Sequence, residues 1–176
     1  LSLPQYRDLR ARVDDKFREI SAAYPADFNC RQGCHSCCKP ALTVNALERA
    51  ELREHFEARP ALVEELRTLA VENPHLGKRC SFLRSGGDCA VYEVRPLVCR
   101  SHGAPLQFRP LDSRDENLRN RDVCPLNFTA KGIGDLPATS VINLDTINVL
   151  LALLCQRAFP KDESRTPLSV DAILSP

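Results

Sequence analysis

The sequence predicts a mainly α-helical fold with a small β-hairpin, as a single domain organised around a cysteine-rich metal centre. Three observations carry that expectation. Apolar residues recur at helical spacing over the first two dozen positions and in two central segments; a Gly-Gly pair separates two short apolar runs; and nine cysteines crowd into separated stretches of a 176-residue chain.

The first element is an amphipathic helix over residues 1–24. Leu3, Tyr6, Leu9, Val13, Phe17, Ile20 and Tyr24 follow one another by threes and fours with charge between them, and Pro25 stops the run. Asn45 followed by Glu48 forms a capping box ahead of ALERAELREHFEA. Pro60 ends that helix and suits the first position of a second, ALVEELRTLAVE, which closes at Asn73-Pro74. His55 and His75 read as surface or cap residues. In CSFLRSGGDCAVYEV the SGGD tetrapeptide favours a hairpin whose second strand Pro96 interrupts, and VRPLVCRSHG turns into a short helical or irregular piece. Residues 109–123 are polar and read as a surface loop. A buried helix is expected over 140–160, with Ile147, Leu150, Leu151, Leu154 and Ala158 on one face. The tail beyond it orders where it docks.

Composition excludes several function classes. Lysine and arginine number 24 against 23 aspartates and glutamates, so nothing in the charge balance asks for nucleic acid. No run approaches the roughly 20 apolar residues of a membrane span, and LSLPQYRDLRAR lacks the apolar core of a secretory signal. The expected setting is therefore cytoplasmic. There an odd, cysteine-rich set points to metal rather than to a disulfide framework.

Cys155 lies on an apolar helix and is expected as a buried packing residue. The other eight, Cys30, Cys34, Cys37, Cys38, Cys80, Cys89, Cys99 and Cys124, are the candidate metal ligands. Thiolates suit zinc, which takes four in a tetrahedron, and iron–sulfur clusters, which spread a similar number over a larger object. Cys37 and Cys38 are adjacent, and neighbouring side chains in an extended stretch point apart, which argues for two centres or one larger than a single ion. Cys30-x3-Cys34-x2-Cys37 has the spacing of the radical S-adenosylmethionine cluster loop, but a chain of this length without strand–helix alternation cannot form that barrel. Arg31, Lys39, Arg95 and Arg100 stand beside the thiols in sequence, able to donate charge-assisted hydrogen bonds to sulfur, Arg95 and Arg100 above all. His102 is a further candidate for the surroundings of the centre.

At these residues the chain resembles the CxxCxxCC family of YkgJ-like cysteine-cluster proteins, described as zinc- or iron-chelating domains. The matching pieces are CRQGCHSCC at 30–38, CSFLRSGGDCAVYEVRPLVCR at 80–100 and the trailing Cys124, within a cysteine-cluster region of 28–136. The first spacing here is x3 rather than x2. The resemblance implies a metal-chelating module, zinc and iron both being proposed for the family. One branch of it is similar to flagellin lysine methylases that carry an iron–sulfur centre in longer chains.

Three functions compete. The first is a metal-chelating module whose partner is the metal ion, with an iron–sulfur cluster ahead of Zn. The second is a metal-dependent or redox enzyme with Tyr92, Glu93 or His102 as proton carriers. The third is a thiol redox sensor built on Cys37 and Cys38. The bland alternatives are Tyr92 in the core, Glu93 as an arginine partner and His102 as a fourth ligand or a surface residue. The loop at 30–38 is expected to meet Cys80, Cys89, Cys99 and Cys124, pinning the first helix to the hairpin.

Overall fold

Helical periodicity dominates the architecture. In the computed structural model, which describes residues 2–31, 33–38, 42–72, 79–112, 114–115 and 118–176, the first helix α1 runs over Ser2–Ala23. Its apolar stripe is buried at Tyr6, Leu9, Val13 and Ile20. Strand β1, Thr43–Val44, leads into α2, Ala46–Glu57, and α3, Pro60–Glu72, follows. The Asn45 side chain accepts from the Glu48 N–H at 2.9 Å, satisfying one of the donors a helix start leaves open. Pro60 occupies the first helical position, where its missing N–H costs nothing. His55, expected as a surface or cap residue, stands buried in the last turn of α2, while His75 and Lys39 lie outside the described residues.

The chain groups into two compact units. One comprises Leu1–Leu3, Arg31–Pro96 and Cys155–Pro176; the other comprises Pro4–Cys30 and Leu97–Leu154. In the first unit Val44, Leu52, Phe56, Val63, Leu66, Phe82, Val91, Leu168, Val170 and Ile173 form the core, with Cys80 and Cys89 packed against it. The tail belongs to that core. Strand β5, Thr166–Pro167, pairs antiparallel with β1, and the short helix α6, Val170–Leu174, seats Ile173 among the α2 and α3 side chains. Arg49 and Arg53 on α2 donate to the backbone carbonyls of Ile173, Leu174 and Ser175, tying down the C-terminal end of α6.

In the second unit, helix α4, Leu97–Ser101, precedes a three-stranded sheet. Its strands are β2, Leu106–Phe108, β3, Asn120–Asp122, and β4, Ile142–Asn143, in the order β3-β2-β4; β2 pairs antiparallel with β3 and parallel with β4. Part of the expected 109–123 surface loop is therefore a strand. A smaller core gathers Phe128, Leu136 and Val141 with Tyr24 and Phe28.

Two further expectations change. The hairpin shrinks to one antiparallel bridge, Leu83 to Cys89, and its second strand becomes a 3-10 turn over Tyr92–Val94. The C-terminal helix α5, Leu144–Ala158, is a surface helix. Ile147 and Cys155 are buried, whereas Val149, Leu150 and Leu153 are 58%, 40% and 57% exposed, so Leu150 leaves the inward face assigned to it. Fifteen residues with leucine and valine on every side carry too little polar punctuation to mark which side faces water.

Candidate metal centre

The thiols of the first unit come from two segments. Residues 35–38 form a turn in which the Cys38 N–H donates to the His35 carbonyl at 2.9 Å, and the Cys80 N–H donates to the Cys38 carbonyl at 3.1 Å. Loop and hairpin are joined at the residues that carry sulfur. Because 35–38 is a turn, the Cys37 and Cys38 side chains hydrogen-bond to each other, where an extended chain would splay them apart.

The thiols of this unit influence one another electrostatically. Cys38 is held well above the ordinary thiol range, first by the side-chain hydrogen bond with Cys37, then by burial, then by the charges Cys37, Cys80 and Cys89 would carry. Burial raises Cys80 and Cys89 as well. Both are drawn partly back by a backbone hydrogen bond to sulfur, from the Phe82 N–H to Cys80 and from the Val91 N–H to Cys89. The same local geometry thus occurs twice, with sulfur accepting from the amide two residues on. Arg95 and Arg84 also lower Cys89 by their positive charge.

A pH dependence follows for the metal-free protein. Folding raises the pKa of Cys38, Cys80 and Cys89, so the fold holds their protons more tightly than the unfolded chain does. The stability this contributes is fully present below the ordinary thiol value of about 8.5 and is lost as pH rises through the folded values. Thermal melts of the reduced, metal-free protein are expected to fall between about pH 8 and pH 10. Cys38→Ala flattens that fall.

Gly87 locks the hairpin to the loop. Its φ is +84°, and a Cβ there would lie 2.9 Å from His35 Cδ2 and 3.2 Å from the Gly33 carbonyl oxygen. The ring can swing away; the carbonyl, being backbone, cannot move without shifting the loop. Gly87→Ala is expected to destabilise the protein by about 1–3 kcal/mol in chemical denaturation.

Cys34 is half-buried in the same unit, its N–H donating to the Arg31 carbonyl. Arg95, expected beside the thiols, stacks its guanidinium 3.8 Å from the centre of the Tyr92 ring, which is 61% exposed and not in the core. Glu93 stands 3.9 Å from Arg59. A surface cleft of about 440 Å³ borders Cys89, lined also by His55, Arg59, Glu65, Arg84 and Tyr92. Its cations are balanced, Arg84 by Glu65 and Asp88 and Arg59 by Glu93.

The other three candidate ligands lie in the second unit. Cys30 is exposed, Cys99 is half-buried on α4 and Cys124 is buried. Arg100 is buried on α4, and its guanidinium donates to Asp14 on α1. His102 is exposed just past α4. The Cys30 sulfur sits against Gly103, where a Cβ would come within 2.8 Å of it, and accepts a hydrogen bond from Asn127 Nδ2 at 3.2 Å. Sequence reasoning missed Asn127; its one signal is a place three residues after Cys124. Cys155 is buried, as its apolar helix implies.

The donor chemistry fits a thiophilic metal: several soft sulfurs on two joined segments, amide donors that lower Cys80 and Cys89, and the positive charge of Arg95 and Arg84 at Cys89. Among the described residues, no three His, Cys, Asp or Glu side chains already converge as an ion cage. No helix among them is long and apolar enough to cross a membrane.

Residues 29–125, more than half of the chain, match the family CxxCxxCC, described as a "putative zinc- or iron-chelating domain". No curated protein and no solved structure matches the chain. With all eight candidate cysteines inside the matched stretch, the chain belongs to the CxxCxxCC family of metal-chelating domains.

Proposed function

We propose that this chain chelates its metal as an iron–sulfur centre, ahead of zinc, through Cys37, Cys38, Cys80 and Cys89 with Cys34 beside them. Cys30, Cys99 and Cys124 supply the thiolates of the second unit. The observation that carries the reading is the joining of the two thiol-bearing segments at their own cysteines, the Cys80 N–H donating to the Cys38 carbonyl at 3.1 Å, with Cys80 and Cys89 packed on one core. Backbone donors fixed on sulfur offset the accumulation of negative charge when several thiolates share one object. Burial alone would keep these thiols protonated and inert; Cys37, Cys38, Cys80 and Cys89 would hold a bound metal as thiolates, their protons released to solvent.

Arg95 and Arg84 contribute positive charge at Cys89, while Arg100, committed to Asp14, positions α4 and so Cys99. His102 borders the second set. A bound cluster would supply electron storage or a structural cross-link, and the surrounding residues orient the sulfurs and screen them from water. The reading places the protein in a reducing, cytoplasmic setting, where free thiols persist.

Purification without oxygen tests it. Brown protein with broad visible absorption, carrying iron and acid-labile sulfide, is the expected result. Colourless protein with stoichiometric zinc replaces the cluster by a zinc site, and metal-free protein whose thiols cycle under peroxide replaces chelation by thiol sensing.

A further inference from the structure

We propose that Asn127 is a positioning residue that holds the Cys30 sulfur as a metal ligand, an inference that rests on the chelation reading above. Asn127 is 2% exposed, yet its amide is fully engaged. Nδ2 donates to Cys30 Sγ at 3.2 Å and to the Gly103 carbonyl at 2.7 Å, and Oδ1 accepts from the Asn29 N–H at 2.8 Å. That acceptor requirement fixes which end of the amide faces sulfur.

The placement of Asn127 is itself set by a cysteine-bearing turn, because its N–H donates to the Cys124 carbonyl at 2.8 Å. Gly103 follows α4, which carries Cys99. One buried amide therefore ties together the three segments that bear Cys30, Cys99 and Cys124. The sulfur has a fitted seat as well: at Gly103, with φ +108°, a Cβ would meet Cys30 Sγ at 2.8 Å and Phe17 Cε2 at 3.4 Å. A small residue is required there so that sulfur can occupy the space.

The chemistry favours a charged sulfur. An N–H donor gains roughly twice as much from an ionised acceptor as from a neutral one, so this hydrogen bond strengthens when the proton of Cys30 gives way to a metal. Outer-sphere donors of this kind typically carry about 10- to 100-fold in metal affinity. Within its own unit, Cys30 is thereby an ordered ligand and not a loose thiol at the rim of the loop.

Cadmium-113 is the probe, added alone to the reduced full chain with nitrogen-15 labelling. The Asn127 side-chain amide signal is expected to shift on loading and to couple to cadmium through the Cys30 sulfur. Asn127→Ala is expected to weaken cadmium binding by about tenfold or more, and to add less than about twofold in a Cys30→Ala background. Loaded wild-type protein whose Asn127 side-chain signal stays at its metal-free position overturns the proposal, and that measurement needs no variant to fold. A metal-free signal that does not respond to Cys30→Ala removes the contact itself. Wild-type protein that takes up no cadmium overturns the chelation reading, and this proposal with it.

Discussion

Cys38→Ser and Cys80→Ser are each expected to reduce the metal content of purified protein to roughly a tenth of wild type or less, with affinity down by on the order of a hundredfold or more. That range is what loss of a mere outer-sphere partner can cost, so losing a sulfur ligand starts from there. The fold of the metal-free chain should survive both changes. Cys38 and Cys80 are only partly buried, and the bond that joins their segments runs between backbone atoms, the Cys80 N–H and the Cys38 carbonyl, which serine retains. Metal analysis by mass spectrometry beside circular dichroism separates the two effects. Cys155→Ala is the control: buried on α5, it should leave metal content unchanged while lowering stability modestly. Equal metal loss in all three variants would mean that metal follows global stability and not these sulfurs.

The second large effect lies in the packing under the thiols. Phe82 is 1% exposed, two residues beyond Cys80, and its ring meets Phe56 edge to face with centroids 5.5 Å apart. Phe82→Ala removes that ring from a core shared by α2, α3 and α6, at an expected cost of about 3–5 kcal/mol. Typical total stabilities are about 5–15 kcal/mol, so the metal-free variant should be close to its unfolding threshold. The backbone amide of residue 82 that donates to the Cys80 sulfur is unaffected by the change. Metal should therefore still bind and recover part of the loss, since a ligand held only by the folded state stabilises by mass action. Denaturant midpoints with and without metal check this; a midpoint in the metal-free variant equal to wild type would contradict the core assignment.

Much of the helical frame was legible in the residues because its signals are local. Asn45 and Glu48 mark the start of α2, and Pro60 the start of α3, through contacts within one turn of chain. The strands were not legible. β1, β4 and β5 are two residues long, too short for an alternating pattern to show, and each exists because a distant segment lies alongside. In the site, the identity of the sulfur donors follows from composition and spacing. The joining of the 30–38 loop to the Cys80 segment was expected as well, but its local geometry was not: 35–38 is a turn that Cys38 and His35 close through backbone atoms, and Asn127 reaches Cys30 across 97 positions of sequence. Beyond its place three residues after Cys124 in CPLNF, nothing local to Asn127 tells that its amide is buried against sulfur.

The docking of the tail on α2 has a consequence in time. Arg49 and the Ile173 carbonyl it grips are 124 positions apart, and Leu168, Val170 and Ile173 complete the core on which Cys80 and Cys89 rest. At synthesis speeds of about 5–20 residues per second, roughly 6–25 seconds separate the appearance of α2 from that of its last partner. During that interval the nascent chain displays Cys34, Cys37 and Cys38, and soon Cys80 and Cys89, without a finished floor beneath them. Until the tail docks these thiols lack the packing that buries them, and that interval is when they are most open to oxidation.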